Sequence, residues 1–239
     1  MMNRLKLFIS AILPQRCLWC GRLVSADKTA CDSCAVNLPE ISGEICEKCG
    51  REKKVCNCRG KENYFDGIVA PFYYSGAVKK GIHRFKFRNR KLSAGQFGAE
   101  MCKAIKKRYG DIKFDIVLPV PMTEKAVKAR TYNQSELLAK EISNKLDIRY
   151  SNDILYKLYE TKKQHLLNYY LRKGNLTGVF DVRNPDEIKN KTVLLVDDIS
   201  TTGETLNECS KMLWLNGASA VYCVTLALTP SKKKSEKKR

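Results

Sequence analysis

The chain has 239 residues, enough for one ordinary domain with its own core and a smaller module. Its hydrophobic content of 44% is typical of a globular protein and argues against a disordered chain. The 44 Lys and Arg residues outnumber the 25 Asp and Glu residues, which gives a formal net charge of +19. Such an excess favours polyanionic partners (nucleic acid, anionic lipid or phosphorylated small molecules), although a basic surface can also serve solubility alone.

Residues 1–14, MMNRLKLFISAILP, combine basic residues with a short apolar stretch. They lack the small-residue cleavage site of a signal peptide, and the apolar stretch is too short to span a bilayer. We therefore expect a docked amphipathic helix. No other segment is long and apolar enough to cross a membrane, so the sequence predicts a cytoplasmic protein without a transmembrane segment.

Eight of the eleven cysteines lie before residue 60, in four closely spaced pairs. The pairs are Cys17 with Cys20, Cys31 with Cys34, Cys46 with Cys49, and Cys56 with Cys58. Two such pairs complete a closed tetrahedral site of four thiolates, so four pairs predict two zinc ions. Cysteine then fills every ligand position and leaves none for a reactive water, which indicates structural zinc.

Spacing alone does not decide which pairs share an ion. We expect sequential pairing, first with second and third with fourth, because each loop is then short; a cross-braced arrangement is the alternative. Disulfides and an iron–sulfur cluster are the competing interpretations, but the missing secretion signal favours a reducing compartment and hence zinc. The N-terminal helix and this double zinc-ribbon-like module are expected to occupy residues 1–62.

The middle of the chain alternates short apolar runs with helical periodicity. Residues 68–74 predict a strand, and residues 116–118 predict a second one that runs into Pro-Val-Pro at 119–121. Three sets of apolar residues recur at three- and four-residue spacing and predict buried helix faces. They are Val78, Ile82 and Phe85; Leu92, Phe97, Met101 and Ile105; and Leu138, Ile142 and Leu146.

A basic run at residues 83–91 overlaps the end of the first of these helices and alternates cations with aromatic rings. It predicts either a surface for single-stranded nucleic acid or a helix end whose rings face the core while the cations face water. Lys125, Lys128 and Arg130 follow the second strand, where they either face water or neutralise an anionic ligand. Residues 231–239 form a basic tail that we expect to be disordered.

Residues 193–205, VLLVDDISTTGET, carry the clearest functional pattern. The apolar run predicts a strand buried on both faces of a parallel sheet, with Asp197 and Asp198 at its carboxyl end. A predicted helix follows, and residues 220–228 predict a further strand. The buried face of that helix is predicted to consist of Leu206, Cys209 and Leu213.

A small polar loop follows the two aspartates. Ligands of parallel sheets bind beyond the carboxyl ends of the strands, where helix N-termini offer free backbone N–H groups to anions. Carboxylates are poor phosphate ligands, but they accept hydrogen bonds from hydroxyl groups and can help to hold a cation. Two carboxylates beside a phosphate loop therefore indicate a sugar phosphate. The residues expected to cradle the phosphate are Ser200, Thr201, Thr202, Gly203 and Thr205.

This stretch resembles the phosphoribosyl diphosphate signature of the type I phosphoribosyltransferases. The resemblance implies a parallel α/β sheet flanked by helices at residues 63–230. It implies that Asp197 and Asp198 hold the ribose hydroxyls in catalysis, that residues 200–205 hold the 5-phosphate, and that Mg²⁺ accompanies the diphosphate. Glu204 places an anion in that loop, which weakens the cradle unless its side chain points away. The residues implied for the diphosphate are Val120, Pro121, Lys125 and Arg130.

The order of motifs over roughly residues 8–228 resembles the ComF family of phosphoribosyltransferase-like proteins, which are associated with DNA uptake in competence. The matching features are the multi-cysteine head, the Pro-Val-Pro segment, residues 130–134 (Arg-Thr-Tyr-Asn-Gln) and residues 193–205. The resemblance implies phosphoribosyl diphosphate as ligand, and single-stranded DNA and DNA-uptake proteins as partners. It also implies a loop at residues 159–177 that closes over the substrate.

One residue limits the reaction that this resemblance implies. Purine phosphoribosyltransferases often carry an aspartate three residues after the acidic pair as a base toward the purine, and Thr201 stands at that position here. Purine salvage is therefore not expected. Two functions fit the sequence: an enzyme that transfers phosphoribosyl to an unidentified acceptor, or a non-catalytic protein that senses phosphoribosyl diphosphate or handles single-stranded DNA with the same fold.

Overall fold

The computed structural model describes residues 15–58, 62–87, 91–158 and 178–231. The predicted N-terminal helix, the substrate loop at 159–177 and the tail from 232 lie outside these residues. The helices described are α1 Asp32–Val36, α2 Gly76–Phe87, α3 Ala94–Tyr109, α4 Glu124–Arg130, α5 Gln134–Leu146 and α6 Glu204–Leu215. The strands described are β1 Gly67–Val69, β2 Phe72–Tyr73, β3 Ile116–Pro119, β4 Arg149–Tyr150, β5 Leu155–Lys157, β6 Phe180–Val182, β7 Thr192–Ser200 and β8 Ala220–Leu228.

The main sheet is parallel, in the order β1-β8-β7-β3-β4, with β2 also pairing with β8. Strands β5 and β6 form a separate antiparallel pair. Strand β7 lies between β8 and β3, and its Val196 pairs with Pro119, the last residue of β3. Asp197 is therefore the first residue of β7 beyond the end of β3, at the carboxyl edge of the sheet.

Strand β7 divides its side chains between two apolar layers. Leu194 and Val196 pack in the layer that contains α2, α3 and α5, while Val193 and Leu195 pack in the layer that contains α6. This alternation is the period of two that any strand has, here with both faces buried. The predicted buried faces of α2 and α6 are confirmed, since their apolar residues are almost completely inaccessible to solvent.

Two predictions about these elements are wrong. Leu92 is 97% exposed, because it precedes α3, which begins at Ala94, and so does not share the face of that helix. The strand predicted at residues 68–74 is divided into β1 and β2. Pro71 lies in the break and has no N–H to donate to a neighbouring strand.

The cysteine-rich head packs directly on this sheet and its helices. Trp19 is buried, with its ring 5.0 Å from the ring of Phe72 and 5.4 Å from that of Phe97. Gly81 of α2 permits this approach, because a Cβ atom there would lie 3.0 Å from the indole of Trp19. The head therefore shares a core with the parallel-sheet part of the chain. Among the described residues, no helix combines the length and apolar character that a bilayer span requires.

Candidate functional site

The eight paired cysteines form two groups of four. Within each group all sulfur atoms lie within 4.8 Å of one another. The first group is Cys17, Cys20, Cys31 and Cys34, and the second is Cys46, Cys49, Cys56 and Cys58. This is the sequential arrangement, so the cross-braced alternative is wrong.

The distances between sulfur atoms, which are as short as 3.0 Å between Cys56 and Cys58, fit ligands of a shared metal ion better than disulfides. Cys20 and Cys31 have their sulfur atoms 3.6 Å apart, and those of Cys49 and Cys56 are 3.5 Å apart. Zn–S bonds of about 2.3 Å in a tetrahedron place sulfur atoms about 3.8 Å apart, whereas a disulfide needs about 2.05 Å. The cysteines are thiols in the structure, and the two groups support structural zinc rather than disulfides.

The predicted phosphate loop encloses a small cavity at the N-terminus of α6. The cavity has a volume of about 110 Å³ and is lined by Asp197 and by residues 199–206. Gly203 precedes α6 with φ +82°, a backbone conformation that suits glycine and turns the chain sharply into the helix. The first N–H groups of a helix have no intrahelical acceptor, so this cavity is suited to an anion.

The two aspartates lie side by side but contact different elements. The Ser135 hydroxyl, at the start of α5, donates to Oδ1 of Asp197 over 2.7 Å, and the backbone N–H of Asp198 donates to the same oxygen over 2.8 Å. Asp198 is only 6% exposed, and its Oδ2 lies 2.7 Å from Nζ of Lys86 on α2. Asp197 borders the small cavity at the N-terminus of α6, while Asp198 points toward the layer that contains α2.

Burial and then the nearby charge of Asp198 raise the pKa of Asp197 to about 7. The hydrogen bond from Ser135 and the positive charge of Lys86 act in the opposite direction. Asp197 therefore takes up or releases a proton near neutral pH, and Lys86 is the counter-ion beside the two aspartates.

The residues predicted for the diphosphate are less closely grouped. Val120 is buried, and its N–H donates to the Val196 carbonyl over 2.8 Å, so it is not available to a ligand. Lys125 is exposed on α4. Arg130 ends the same helix, with its guanidinium 5.8 Å from the ring centre of Phe87. Their contact with a diphosphate stays a prediction.

The motif at residues 130–134 has structural roles that explain its spacing. Tyr132 donates its hydroxyl hydrogen to the Phe85 carbonyl and so joins α5 to the end of α2. Asn133 caps α5 by accepting from Ser135 N over 3.1 Å, and it donates to the Val120 carbonyl over 3.1 Å. The motif thus places Ser135 and the segment after β3 beside Asp197.

Sequence reasoning missed two residues of this site, Lys86 and Ser135. Lys86 was included in the basic run only as a solvent-facing or nucleic-acid-binding cation, yet its side chain is 16% exposed and points to Asp198. Phe85 of this run is buried while Phe87 is 58% exposed, so only one of these two rings faces the core; binding of nucleic acid by the run stays a prediction. Glu204 lines the small cavity of the predicted phosphate loop, and its Oε2 atom is buried without a hydrogen-bond partner among the described residues.

Comparison with protein families finds matches for two parts of the chain. Residues 8–65 match the double zinc ribbon domain, and residues 132–239 match the phosphoribosyl transferase domain. A purine phosphoribosyltransferase from Pyrococcus horikoshii superposes with a TM-score of 0.38 and 18% identity, over 58% of this chain and 77% of that one. The parallel sheet and the cysteine groups define a protein with a type I phosphoribosyltransferase-like fold and an N-terminal zinc ribbon module.

Three relatives of similar length identify the family within this class of proteins. Competence protein F of Haemophilus influenzae is 32% identical over 222 residues, which cover 89% of this chain and 96% of the relative. Competence protein ComFC of Bacillus subtilis is 28% identical over 83% of each chain. DNA utilization protein YhgH of Escherichia coli is 29% identical over 89% of this chain and 90% of its own. The chain belongs to the ComF family of competence-associated, phosphoribosyltransferase-like proteins.

Proposed function

We propose that the protein binds phosphoribosyl diphosphate with Mg²⁺, transfers the phosphoribosyl group to an acceptor that is not identified, and takes part in DNA uptake. The observation that carries the proposal is the cavity of about 110 Å³ at the N-terminus of α6, with Asp197 on its border. Its size and its free backbone N–H groups suit one phosphate, and the adjacent carboxylate suits a sugar hydroxyl. The names of the relatives support the link to DNA uptake.

Each part of the site has a role in this proposal. The loop at residues 200–205 holds the 5-phosphate, while Asp197 and Asp198 accept hydrogen bonds from the ribose hydroxyls and stabilise positive charge that develops on the sugar. The two carboxylates are oxygen donors of the kind that Mg²⁺ prefers, and the bound ion would neutralise the departing diphosphate. The positive charge of Lys86 offsets part of the repulsion between the two carboxylates in the free protein.

Calorimetric titration with phosphoribosyl diphosphate and Mg²⁺ tests the ligand. The double variant Asp197→Asn with Asp198→Asn removes both charged acceptors, and we expect its affinity to fall at least about a hundredfold. Asp186→Asn is the matched control, because this exposed aspartate precedes β7 at the other end of the strand. Zinc content, measured by elemental analysis, should stay at two per chain. Unchanged affinity of the double variant, or no binding by the wild-type protein, would refute the proposal.

The net charge of +19 favours a second function, the handling of single-stranded DNA without catalysis. A protein that neutralises phosphates releases counter-ions, so its affinity for DNA should fall steeply with salt. One assay distinguishes the two functions. The protein, phosphoribosyl diphosphate and Mg²⁺ are mixed with nucleobases, amines or single-stranded DNA, and the release of diphosphate is measured. Release with one acceptor identifies an enzyme. Ligand binding without release in every mixture, together with salt-sensitive DNA binding, supports the non-catalytic function.

A further inference from the structure

We propose that Arg51, in the second zinc ribbon, is a positioning residue for the phosphate loop, so that the zinc-binding head helps to hold the 5-phosphate. The inference rests on the proposed function, because it concerns the same loop. It gives the head a part in ligand binding in addition to its structural role.

The side chain of Arg51 bridges the ends of two adjacent strands. Its Nε donates to the Thr229 carbonyl over 2.9 Å, and its Nη2 donates to the Thr201 carbonyl over 2.8 Å. Thr201 is the first residue after β7 and opens the phosphate loop, while Thr229 is the first residue after β8. The N–H of Thr229 donates to the Ser200 carbonyl over 2.9 Å, which continues the strand pairing up to the bridge. Both hydrogen bonds of Arg51 therefore act where the loop leaves the sheet.

The backbone of Arg51 is fixed by the second cysteine group. Its carbonyl accepts from the N–H of Cys46 over 2.8 Å, and the N–H of Gly50 donates to the Cys46 carbonyl over 2.8 Å. Gly50 also packs tightly on the sheet, because a Cβ atom there would lie 2.8 Å from the Ile68 carbonyl oxygen. The turn that carries the cysteine ligands is thus held against β1, and Arg51 reaches the loop from a fixed position.

The direction of the Thr201 carbonyl has a consequence for the ligand. The C=O and N–H of a trans peptide point in opposite directions. Holding the Thr201 carbonyl toward Arg51 therefore directs the Thr202 N–H away from Arg51, and Thr202 is one of the residues that line the phosphate-sized cavity. Arg51 acts on the phosphate through this peptide group and does not need to touch the ligand.

A second basic residue, Lys48, lies near Arg51 and provides a control. A second cavity, of about 520 Å³, is lined on one side by residues of the head and on the other by residues 200–203 and Thr229. Among the described residues that line it, the basic ones are Lys48 and Arg51. Lys48 is exposed and offers a positive charge in the same cavity, which makes it a control for charge alone.

The test compares the affinity of the full chain for ribose 5-phosphate in wild type, Arg51→Ala, Arg51→Lys and Lys48→Ala. We expect Arg51→Ala to bind about tenfold more weakly, because it loses two hydrogen bonds from a charged donor. Arg51→Lys should be intermediate, since an ammonium group cannot span both carbonyls. Lys48→Ala should bind as wild type does. Methylguanidinium added to Arg51→Ala should restore part of the affinity while zinc stays at two per chain.

The outcomes separate this inference from the proposed function. If wild type binds neither ribose 5-phosphate nor phosphoribosyl diphosphate with Mg²⁺, both fail. If it binds only phosphoribosyl diphosphate, the loop does not hold the 5-phosphate as inferred, and the role of Arg51 alone is refuted. If wild type binds and Arg51→Ala binds equally well, or Lys48→Ala loses as much affinity, only the role of Arg51 is refuted. Loss of zinc from Arg51→Ala, or no recovery with methylguanidinium, would assign Arg51 a purely structural role and refute the inference as well.

Discussion

Replacement of Lys86 with methionine tests the charge balance of the acidic pair. Nζ of Lys86 lies 2.7 Å from Oδ2 of Asp198, and the two side chains are 16% and 9% exposed. At that distance two unit charges attract each other by about 6 kcal/mol for an effective dielectric constant of about 20. Desolvation of both ions offsets part of this attraction. Since removal of one partner of a buried pair costs about 3–5 kcal/mol, and Lys86 keeps some contact with water, we expect a loss of about 3 kcal/mol at pH 8.

The loss should depend on pH in a defined direction. The pKa of Asp197 is raised from 3.8 to about 7 by burial and by the charge of Asp198, and Lys86 opposes this rise. Without Lys86 the pKa of Asp197 rises further. A carboxyl group whose pKa is higher in the folded state binds more protons there than in the unfolded chain, so the free energy of unfolding falls as the pH increases between the two pKa values. The Lys86→Met variant should therefore lose more stability at pH 8 than at pH 6.

Urea unfolding at pH 6 and pH 8, with zinc content measured at both, is the assay. Lys103→Met is the matched control, because Lys103 forms an exposed pair with Glu100 and should change the free energy of unfolding by no more than about 0.5 kcal/mol. The double variant Lys86→Met with Asp198→Asn should recover much of the loss, because Asp198, the direct partner of Lys86, then carries no charge. An equal loss at both pH values, or a loss no larger than that of the control, would refute the reasoning.

Three further predictions concern single residues. The affinity for ribose 5-phosphate should rise between pH 6 and pH 8 as Asp197 loses its proton. Asp197→Asn should remove this part of the pH dependence. The affinity for inorganic phosphate controls for ionisation of the ligand, and a wild-type affinity that does not change with pH would contradict the prediction. Glu204→Gln should strengthen phosphate binding about threefold, because it removes an anion from the cradle. Glu208→Gln, further along α6, should not change the affinity; weaker binding by Glu204→Gln would count against the argument. Gly50→Ala should lower the free energy of unfolding by about 3 kcal/mol through backbone strain and overlap. Gly43→Ala, at a similar φ with no atom within 4 Å of a new Cβ, should cost about 1 kcal/mol, and equal losses would exclude the tight contact as the cause.

Local patterns in the sequence predicted most of the elements that build the site. Strand β8 has the predicted bounds, and the apolar faces of α2 and α6 are buried as their spacing requires. The pattern failed at Leu92, because periodicity shows which residues share a face but not where the helix begins. The boundary near residue 62 stays a prediction, since the head and the sheet share one core.

The sequence predicted that the two aspartates and the following loop lie together at the carboxyl end of a strand, but it did not predict the residues that support them. Ser135 is 62 positions from Asp197, and Arg51 is 150 positions from Thr201. Such contacts depend on how helices and strands pack, which no local spacing encodes. The sequence did not predict the role of Lys86 for a related reason. A cation in a basic run is indistinguishable from its neighbours until the fold turns one side chain inward.

Burial of Trp19 between Phe72 and Phe97 has a consequence for the order of events during synthesis. Trp19 lies between the first two cysteine ligands, so the head emerges from the ribosome early and can bind zinc through contacts close in sequence. Its indole meets Phe97 only after α3 has been made. Until then an apolar surface that both parts need is open to water and to other chains. A nascent chain that pauses before α3 is expected to be prone to aggregation even when its first zinc site is complete.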